Sequence, residues 1–337
     1  MSNLDDLIPR HGGDPKSHEA RFGMPKDGWL DVSTGINAVA YPVAPVPQHM
    51  CARLPQQDDM AALLAAARRA YRVPDHATII ASPGTQALIQ MIPTLFEPSS
   101  VSILTPTYGE HAPAWTAAGH RVATHPSICA QAAAPSSFAV VVHPNNPDGR
   151  VQTVDGLVAM AGQQADRGGV LVVDEAFCDV TPALSVCPAA GGEGLVVLRS
   201  FGKFYGLAGV RLGFAITHAD LGRRLADKLG PWAVSGPALW AGIHALRDDA
   251  WATTTRARLA GDAARLDRLL HGAGFVPVGG TDLFRLVARD DAPAVYENLA
   301  RSGILVRPFA DNSTWLRFGL PGQEPDWARL ERALGAL

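Results

Sequence analysis

Lys203 is the residue of this sequence best placed to act as a nucleophile. The chain has only four lysines, Lys16, Lys26, Lys203 and Lys228, so arginine supplies 25 of its 29 basic residues. Lys203 sits in Ser200-Phe201-Gly202-Lys203-Phe204-Tyr205, just after the apolar run Leu195 to Leu198 and flanked by aromatic residues. Partial desolvation in such a setting lowers the pKa of an amine and makes it nucleophilic toward an aldehyde. Taken alone, it reads more readily as a surface lysine following a strand. Asp174 comes next, because it ends the apolar run Val170-Leu171-Val172-Val173. A carboxylate at a buried sheet end is costly unless it is paired. A protonated pyridine nitrogen or an arginine would each serve as its partner.

Three further stretches deliver polar groups where strands end. The strand Ala77 to Ala81 breaks into Ser82-Pro83-Gly84-Thr85-Gln86 and a helix from Ala87 to Leu95. Free backbone N–H groups and the helix dipole at such a junction suit a phosphate, although a plain N-cap accounts for it as well. Val101 to Leu104 leads into Thr105-Pro106-Thr107-Tyr108, where Tyr108 can stack on a flat ring or serve as a half-buried loop tyrosine. Ala139 to Val142 leads into His143-Pro144-Asn145-Asn146-Pro147-Asp148-Gly149, a tight turn in which Asn146 can donate to a ring substituent. Near the N-terminus, Thr34-Gly35-Ile36-Asn37 offers a backbone amide at Gly35 and a side chain at Asn37 that could orient a ligand. An ordinary Asx turn explains that stretch too.

These residues need a scaffold, and the composition supplies one. With 337 residues, 47% of them hydrophobic, the chain can bury a substantial core. A net charge of −3 provides no basic field for nucleic acid, and no apolar run is long enough to suggest a membrane span. The opening Met-Ser-Asn-Leu-Asp-Asp lacks a signal pattern, so a cytoplasmic setting is expected. Cys51, Cys129, Cys178 and Cys187 fall at no metal-ligand spacing and are expected to be reduced and mostly buried, with no metal bound.

Apolar spacing predicts a helix from Asp58 to Arg72, preceded by a proline-rich linker from Tyr41 to Pro47 and a short extended run from Trp29 to Ser33. Strands that end in polar or aromatic residues point to an open α/β sheet with its site at the carboxyl ends. The character changes after Arg211. A helix-rich stretch from Leu221 to about Gly274 carries Leu259, Ala263, Leu266, Leu269 and Leu270 at helical spacing, and strands Phe284 to Val287 and Trp315 to Phe318 flank a helix from Ala292 to Ser302. The expected division is a large domain over 41–222 with a mainly parallel sheet, and a small α+β domain over 223–337 completed by the N-terminal arm 1–40.

In order and spacing, Asn146-Pro147-Asp148-Gly149, Asp174-Glu175-Ala176-Phe177 and Ser200-Phe201-Gly202-Lys203 with Arg211 resemble the fold-type I pyridoxal-phosphate enzymes of the aspartate aminotransferase fold, over roughly Asp31 to Arg317. The resemblance implies pyridoxal 5'-phosphate as cofactor, a site between the domains and a homodimer. Residue by residue, it implies that Lys203 carries the cofactor, Asp174 faces its ring nitrogen, Asn146 donates to its ring hydroxyl and Tyr108 stacks on its ring. Gly84, Thr85, Ser200 and Arg211 would form the phosphate cup. Arg317, in Trp315-Leu316-Arg317-Phe318-Gly319, would clamp the α-carboxylate of a small phosphorylated amino-acid substrate, with Gly35 and Asn37 beside it.

Within that fold the sequence is similar to two branches, histidinol-phosphate aminotransferases and the threonine-phosphate decarboxylases of cobalamin biosynthesis. His11-Gly12-Gly13, Asp31-Val32-Ser33-Thr34-Gly35-Ile36-Asn37 and Phe177 resemble the decarboxylase branch. That branch implies conversion of L-threonine O-3-phosphate to (R)-1-amino-2-propanol O-2-phosphate and carbon dioxide, and His11 and Arg307 are candidates to approach the substrate. Two positions depart from the pattern of related enzymes. Phe177 stands where many relatives carry a tyrosine that donates to the cofactor, and Leu54 lies where related aminotransferases place a tyrosine reaching the neighbouring subunit's phosphate.

Overall fold

The structure, a computed structural model, describes residues 11–337. Two compact units are present. One comprises Tyr41–Asn146 and Arg150–Thr253, and the other, among the described residues, 11–40, Pro147–Gly149 and Thr254–Leu337.

The first unit is built on a seven-stranded sheet of β1 (Thr78–Ser82), β2 (Ser100–Leu104), β3 (Arg121–His125), β4 (Phe138–Val142), β5 (Leu171–Asp174), β6 (Leu195–Ser200) and β7 (Gly213–Thr217). Its order is β1-β7-β6-β5-β4-β2-β3, and all neighbours are parallel except β7, which is antiparallel to both β1 and β6. Every residue of β4, β5, β6 and β7 is buried, as expected of strands covered on both faces. On one face Val140, Val172, Val196 and Leu198 pack with Leu88, Ile89, Trp115 and Leu225. Because β7 runs backwards, the carboxyl ends of β1, β2, β4, β5 and β6 share an edge with the amino end of β7. Every strand-end residue singled out in the sequence falls on that edge.

The expected helix over 58–72 forms as Gln57–Ala70, held at its start by a capping box between Gln56 and Asp59, with Leu63, Ala66 and Ala67 on its buried face. The unit continues through Thr253, past the boundary at 222 expected from sequence, because the helix Gly236–Ala245 packs on Gln57–Ala70. Cys178 and Cys187 are buried, but Cys51 and Cys129 are exposed on short helices, so only half of the cysteines are buried as expected; all four are free thiols.

The second unit contains a four-stranded antiparallel sheet of β8 (Val276–Thr281), β9 (Phe284–Ala288), β10 (Arg307–Phe309) and β11 (Asn312–Gly319), ordered β10-β11-β9-β8. The helix Ala292–Arg301 buries Ala292, Val295, Tyr296, Leu299 and Ala300, an i, i+3, i+4, i+7, i+8 stripe. A separate parallel pair joins Leu30–Asp31 to Ile304–Leu305. The extended run expected to reach Ser33 stops at Asp31, because the Asp31 carboxylate accepts from both the backbone N–H and the hydroxyl of Ser33 and turns the chain. Among the described residues, no helix is long and apolar enough to cross a membrane, and no cluster of His, Cys, Asp and Glu could hold a metal ion.

Candidate active site

In the first unit, the sheet edge brings Gly84, Thr85, Ser200 and Arg211 together around Gly213. Gly213 pairs with Ser82 on β1 and with Ser200 on β6, so the residues after those strands converge on it. Its own position admits no side chain, since a Cβ there would lie 2.6 Å from the Thr85 backbone nitrogen. Gly84, with φ of 82°, is required for a second reason: a Cβ on it would lie 2.6 Å from Arg211 Nη2. Arg211 has a left-handed backbone, φ 57° and ψ 61°, and its exposed side chain leads the guanidinium back over Gly84. An arginine, two hydroxyl side chains and backbone N–H groups at a gap kept open by two glycines form an anion cradle.

Asp174 ends β5 and is buried. Its carboxylate accepts from the Ala176 N–H at 3.1 Å and lies 2.9 Å from His111 Nε2. The carboxylate thus finds a polar partner within the chain, a histidine in place of the arginine or pyridine nitrogen expected from sequence. His111 opens the helix His111–Ala117 and meets the Tyr108 ring edge-on, with 6.1 Å between centroids. Tyr108 and His111 lie three residues apart on the turn that leads into that helix, which brings the two rings together. Tyr108 is half-buried and donates its hydroxyl to Gln86 Oε1 at 3.2 Å, which anchors its ring.

Asn146 is half-buried at the end of the β4 loop. Its neighbour Asn145 locks that loop, donating to Pro106 O at 2.8 Å and accepting from the Thr107 hydroxyl at 2.7 Å. Lys203 lies on the single helical turn Phe201–Phe204, half-buried, with Nζ 5.9 Å from the centre of the Phe177 ring. Phe177 therefore stands as an apolar wall beside the amine. Leu54 is exposed.

In the second unit, Arg317 is buried, donates to Ser33 O at 2.8 Å and lies over the Phe284 ring. Burial, reinforced by Arg307, pulls its guanidinium down to about 9, with Asp31 acting in the opposite direction. Arg307 is half-buried, and desolvation lowers its pKa as well. The backbone of Gly12 and Gly13 lies against Ser33, whose hydroxyl accepts from the Gly13 N–H at 2.9 Å. The exposed His11 is thereby tethered to the segment whose carbonyl holds Arg317. Gly35 and Asn37 are both buried, and the Asn37 side-chain oxygen is taken by Arg258 Nη2 at 2.7 Å and the Val39 N–H at 3.1 Å. That oxygen braces the turn.

Residues 48–337 match the family model described as aminotransferase class I and II. The chain belongs to this family. Within it, the sequence is 41% identical to a threonine-phosphate decarboxylase of Pseudomonas aeruginosa over 96% of both chains. It is 42% identical to a threonine-phosphate decarboxylase of a Sinorhizobium species, over 97% of this chain and 98% of that one. Among solved structures, histidinol-phosphate aminotransferase from Sinorhizobium meliloti in complex with pyridoxal-5'-phosphate superposes with a TM-score of 0.81 at 21% identity, over 100% of this chain and 96% of that one, which establishes a shared fold.

The cofactor of this aminotransferase class I and II chain is pyridoxal phosphate. The residues present fit it. The cradle at Gly84 and Gly213 suits a phosphate, Lys203 offers an amine, and Asp174 offers a buried carboxylate beside a histidine.

Proposed function

We propose that the protein is a pyridoxal-phosphate-dependent decarboxylase that converts L-threonine O-3-phosphate to (R)-1-amino-2-propanol O-2-phosphate and carbon dioxide. The observation that carries this reading is the cross-strand placement of Arg307 opposite Arg317, two guanidinium groups suited to one substrate that bears both a carboxylate and a phosphate. Histidinol phosphate, the amino donor of the runner-up reading, bears a phosphate but no carboxylate, and the carboxylates of that reading belong to 2-oxoglutarate in a separate half-reaction. The names of the two relatives aligned over nearly the whole chain support the same choice.

When bound, pyridoxal phosphate supplies an electron sink conjugated to the substrate α-carbon. Lys203 would hold the cofactor through Nζ, and Asp174, oriented by His111, would keep a proton on the ring nitrogen. Gly84, Thr85, Ser200 and Arg211 would hold the phosphate, Asn146 would donate to the ring hydroxyl, and Tyr108 would lie against the ring. Arg317 would take the α-carboxylate in its fork and fix its orientation, while Arg307 and His11 would receive the substrate phosphate and Gly35 and Asn37 would shape the wall beside them. The electron pair of the breaking C–carboxylate bond would be drawn into that sink as carbon dioxide leaves, and Lys203 Nζ, freed when the substrate amine displaces it, would deliver a proton to the α-carbon. The reading includes a homodimer in the cytoplasm that supplies the aminopropanol linker for cobalamin biosynthesis.

The test is to incubate cofactor-loaded protein with L-threonine O-3-phosphate and, separately, with histidinol phosphate plus 2-oxoglutarate. Carbon dioxide and aminopropanol phosphate from the first mixture alone are expected. Glutamate from the second mixture with no carbon dioxide from the first would move the protein to the aminotransferase branch.

A further inference from the structure

We propose that the buried Glu175–Arg199 ion pair is a positioning pair, fixing from the far face of the sheet the carboxyl ends of β5 and β6, and with them Asp174 and the Ser200–Lys203 turn. The inference rests on the cofactor assignment above and is independent of which substrate is used.

The argument begins with strand periodicity. Successive residues of a strand point to opposite faces. The register pairs Val172 with Val196 and Asp174 with Leu198, and Val172, Val196 and Leu198 lie in one core cluster, so Asp174 and Ser200 share that face. Their chain neighbours Glu175 and Arg199 therefore point to the other face, side by side. There Arg199 Nη1 donates to Glu175 Oε2 at 2.7 Å and Nη2 donates to Asp179, with the guanidinium 4.4 Å from the centre of the Tyr71 ring. Exposure is 2% for the Arg199 side chain and zero for that of Glu175.

Glu175 is held by four donors, Cys187 Sγ at 3.6 Å among them. Besides Arg199, its carboxylate accepts from the Ser185 hydroxyl at 2.6 Å and the Val186 N–H at 2.6 Å. Its own N–H donates to Leu198 O at 2.9 Å, extending the β5–β6 ladder one residue beyond Asp174. A buried ion pair is weak evidence of a stabilising role, because a well-packed apolar pair often does as well. What distinguishes this one is its location. Each member is the direct chain neighbour of a residue on the cofactor face, so the pair sets the spacing between the carboxylate that faces the ring and the turn that carries Ser200 and Lys203.

The experiment compares Glu175→Gln, Arg199→Met, Arg199→Lys and Ser185→Ala, each full-length and loaded with pyridoxal phosphate. Far-UV circular dichroism reports folding, the visible absorption band on serial dilution reports cofactor affinity, and visible circular dichroism reports how the bound ring sits. In Glu175→Gln and Arg199→Met, cofactor affinity should fall about tenfold or more and the visible dichroism should change, with far-UV spectra intact. Arg199→Lys should recover part of both signals, and Ser185→Ala should show a smaller change in the same direction.

Wild-type visible dichroism and affinity in the folded variants would overturn the proposal, even if their melting temperatures dropped. Should the two ion-pair variants fail to fold, Ser185→Ala decides the matter, and a wild-type visible spectrum there overturns it. Altered visible spectra in a protein that does not turn over L-threonine O-3-phosphate would support the positioning pair and remove the substrate assignment alone.

Discussion

Arg307 and Arg317 stand directly opposite one another across the antiparallel β10–β11 pair. Like charges in that position repel, and burial lowers the pKa of both groups, so the pair gains most from an anion placed against it. Replacing Arg317 by Met is expected to remove about 2 kcal/mol of substrate binding, roughly a thirtyfold rise in KM. Inorganic phosphate should raise the melting temperature of the wild type, by the usual linkage of ligand binding to stability, and should do so far less for Arg307→Gln. Equal stabilisation of both proteins by phosphate would remove Arg307 from the anion site.

Gly84 has a backbone conformation that only glycine adopts readily, with the Arg211 guanidinium where a side chain would start. Gly84→Ala should cost about 1–3 kcal/mol of strain and displace Arg211 from the cradle. Cofactor titration should show pyridoxal phosphate affinity falling by more than about tenfold, a loss of roughly 1.4 kcal/mol, in a chain whose far-UV spectrum is unchanged. Unchanged affinity would mean that Arg211 does not hold the phosphate.

Asp174 and His111 should separate by degree. Asp174→Asn removes the charge proposed to keep the ring nitrogen protonated and is expected to lower kcat by about 10²–10³, with KM little changed. His111→Ala leaves the Ala176 N–H on the carboxylate and should have a smaller effect in the same direction. Steady-state kinetics on both variants give the comparison, and an effect of His111→Ala larger than that of Asp174→Asn would point to a direct role for the imidazole. Lys203→Ala should abolish the visible band of the lysine-bound cofactor.

The chemistry at strand ends was legible because burial and strand termination are local signals. Four apolar residues ahead of Asp174, and four ahead of Arg199 and Ser200, mark fully covered strands and therefore a shared edge. The partners of those residues were not legible. His111 reaches Asp174 across 63 positions and Arg199 reaches Glu175 across 24, and no spacing rule links residues brought together by sheet order. Asn37 combines the two. Its type and turn point to a ligand contact or an ordinary Asx turn, and its side-chain oxygen accepts from the Val39 N–H of that turn and from Arg258, 221 positions away. The helix Gly236–Ala245 was assigned by composition to the second domain, whereas its packing on Gln57–Ala70 keeps it with the first unit.

His143 gives a prediction about pH. It is fully buried, its Nδ1 accepts from the Gln152 N–H at 3.2 Å, and its Nε2 therefore donates to Leu184 O at 3.1 Å. That arrangement requires the neutral ring, since a proton on Nδ1 would face another N–H. Desolvation accordingly lowers its pKa from 6.5, with the Glu175 carboxylate opposing the shift. The unfolded chain binds a proton on this imidazole at a pH where the folded chain does not. The stability it contributes is therefore complete above about 6.5 and is lost as pH falls toward the folded-state pKa, by up to about 1.4 kcal/mol per pH unit. Urea unfolding of the wild type between pH 7.5 and about 5 should show that decline. His143→Gln, which keeps a donor and an acceptor without titrating, should flatten it. An identical slope in the variant would assign the acid sensitivity to other groups.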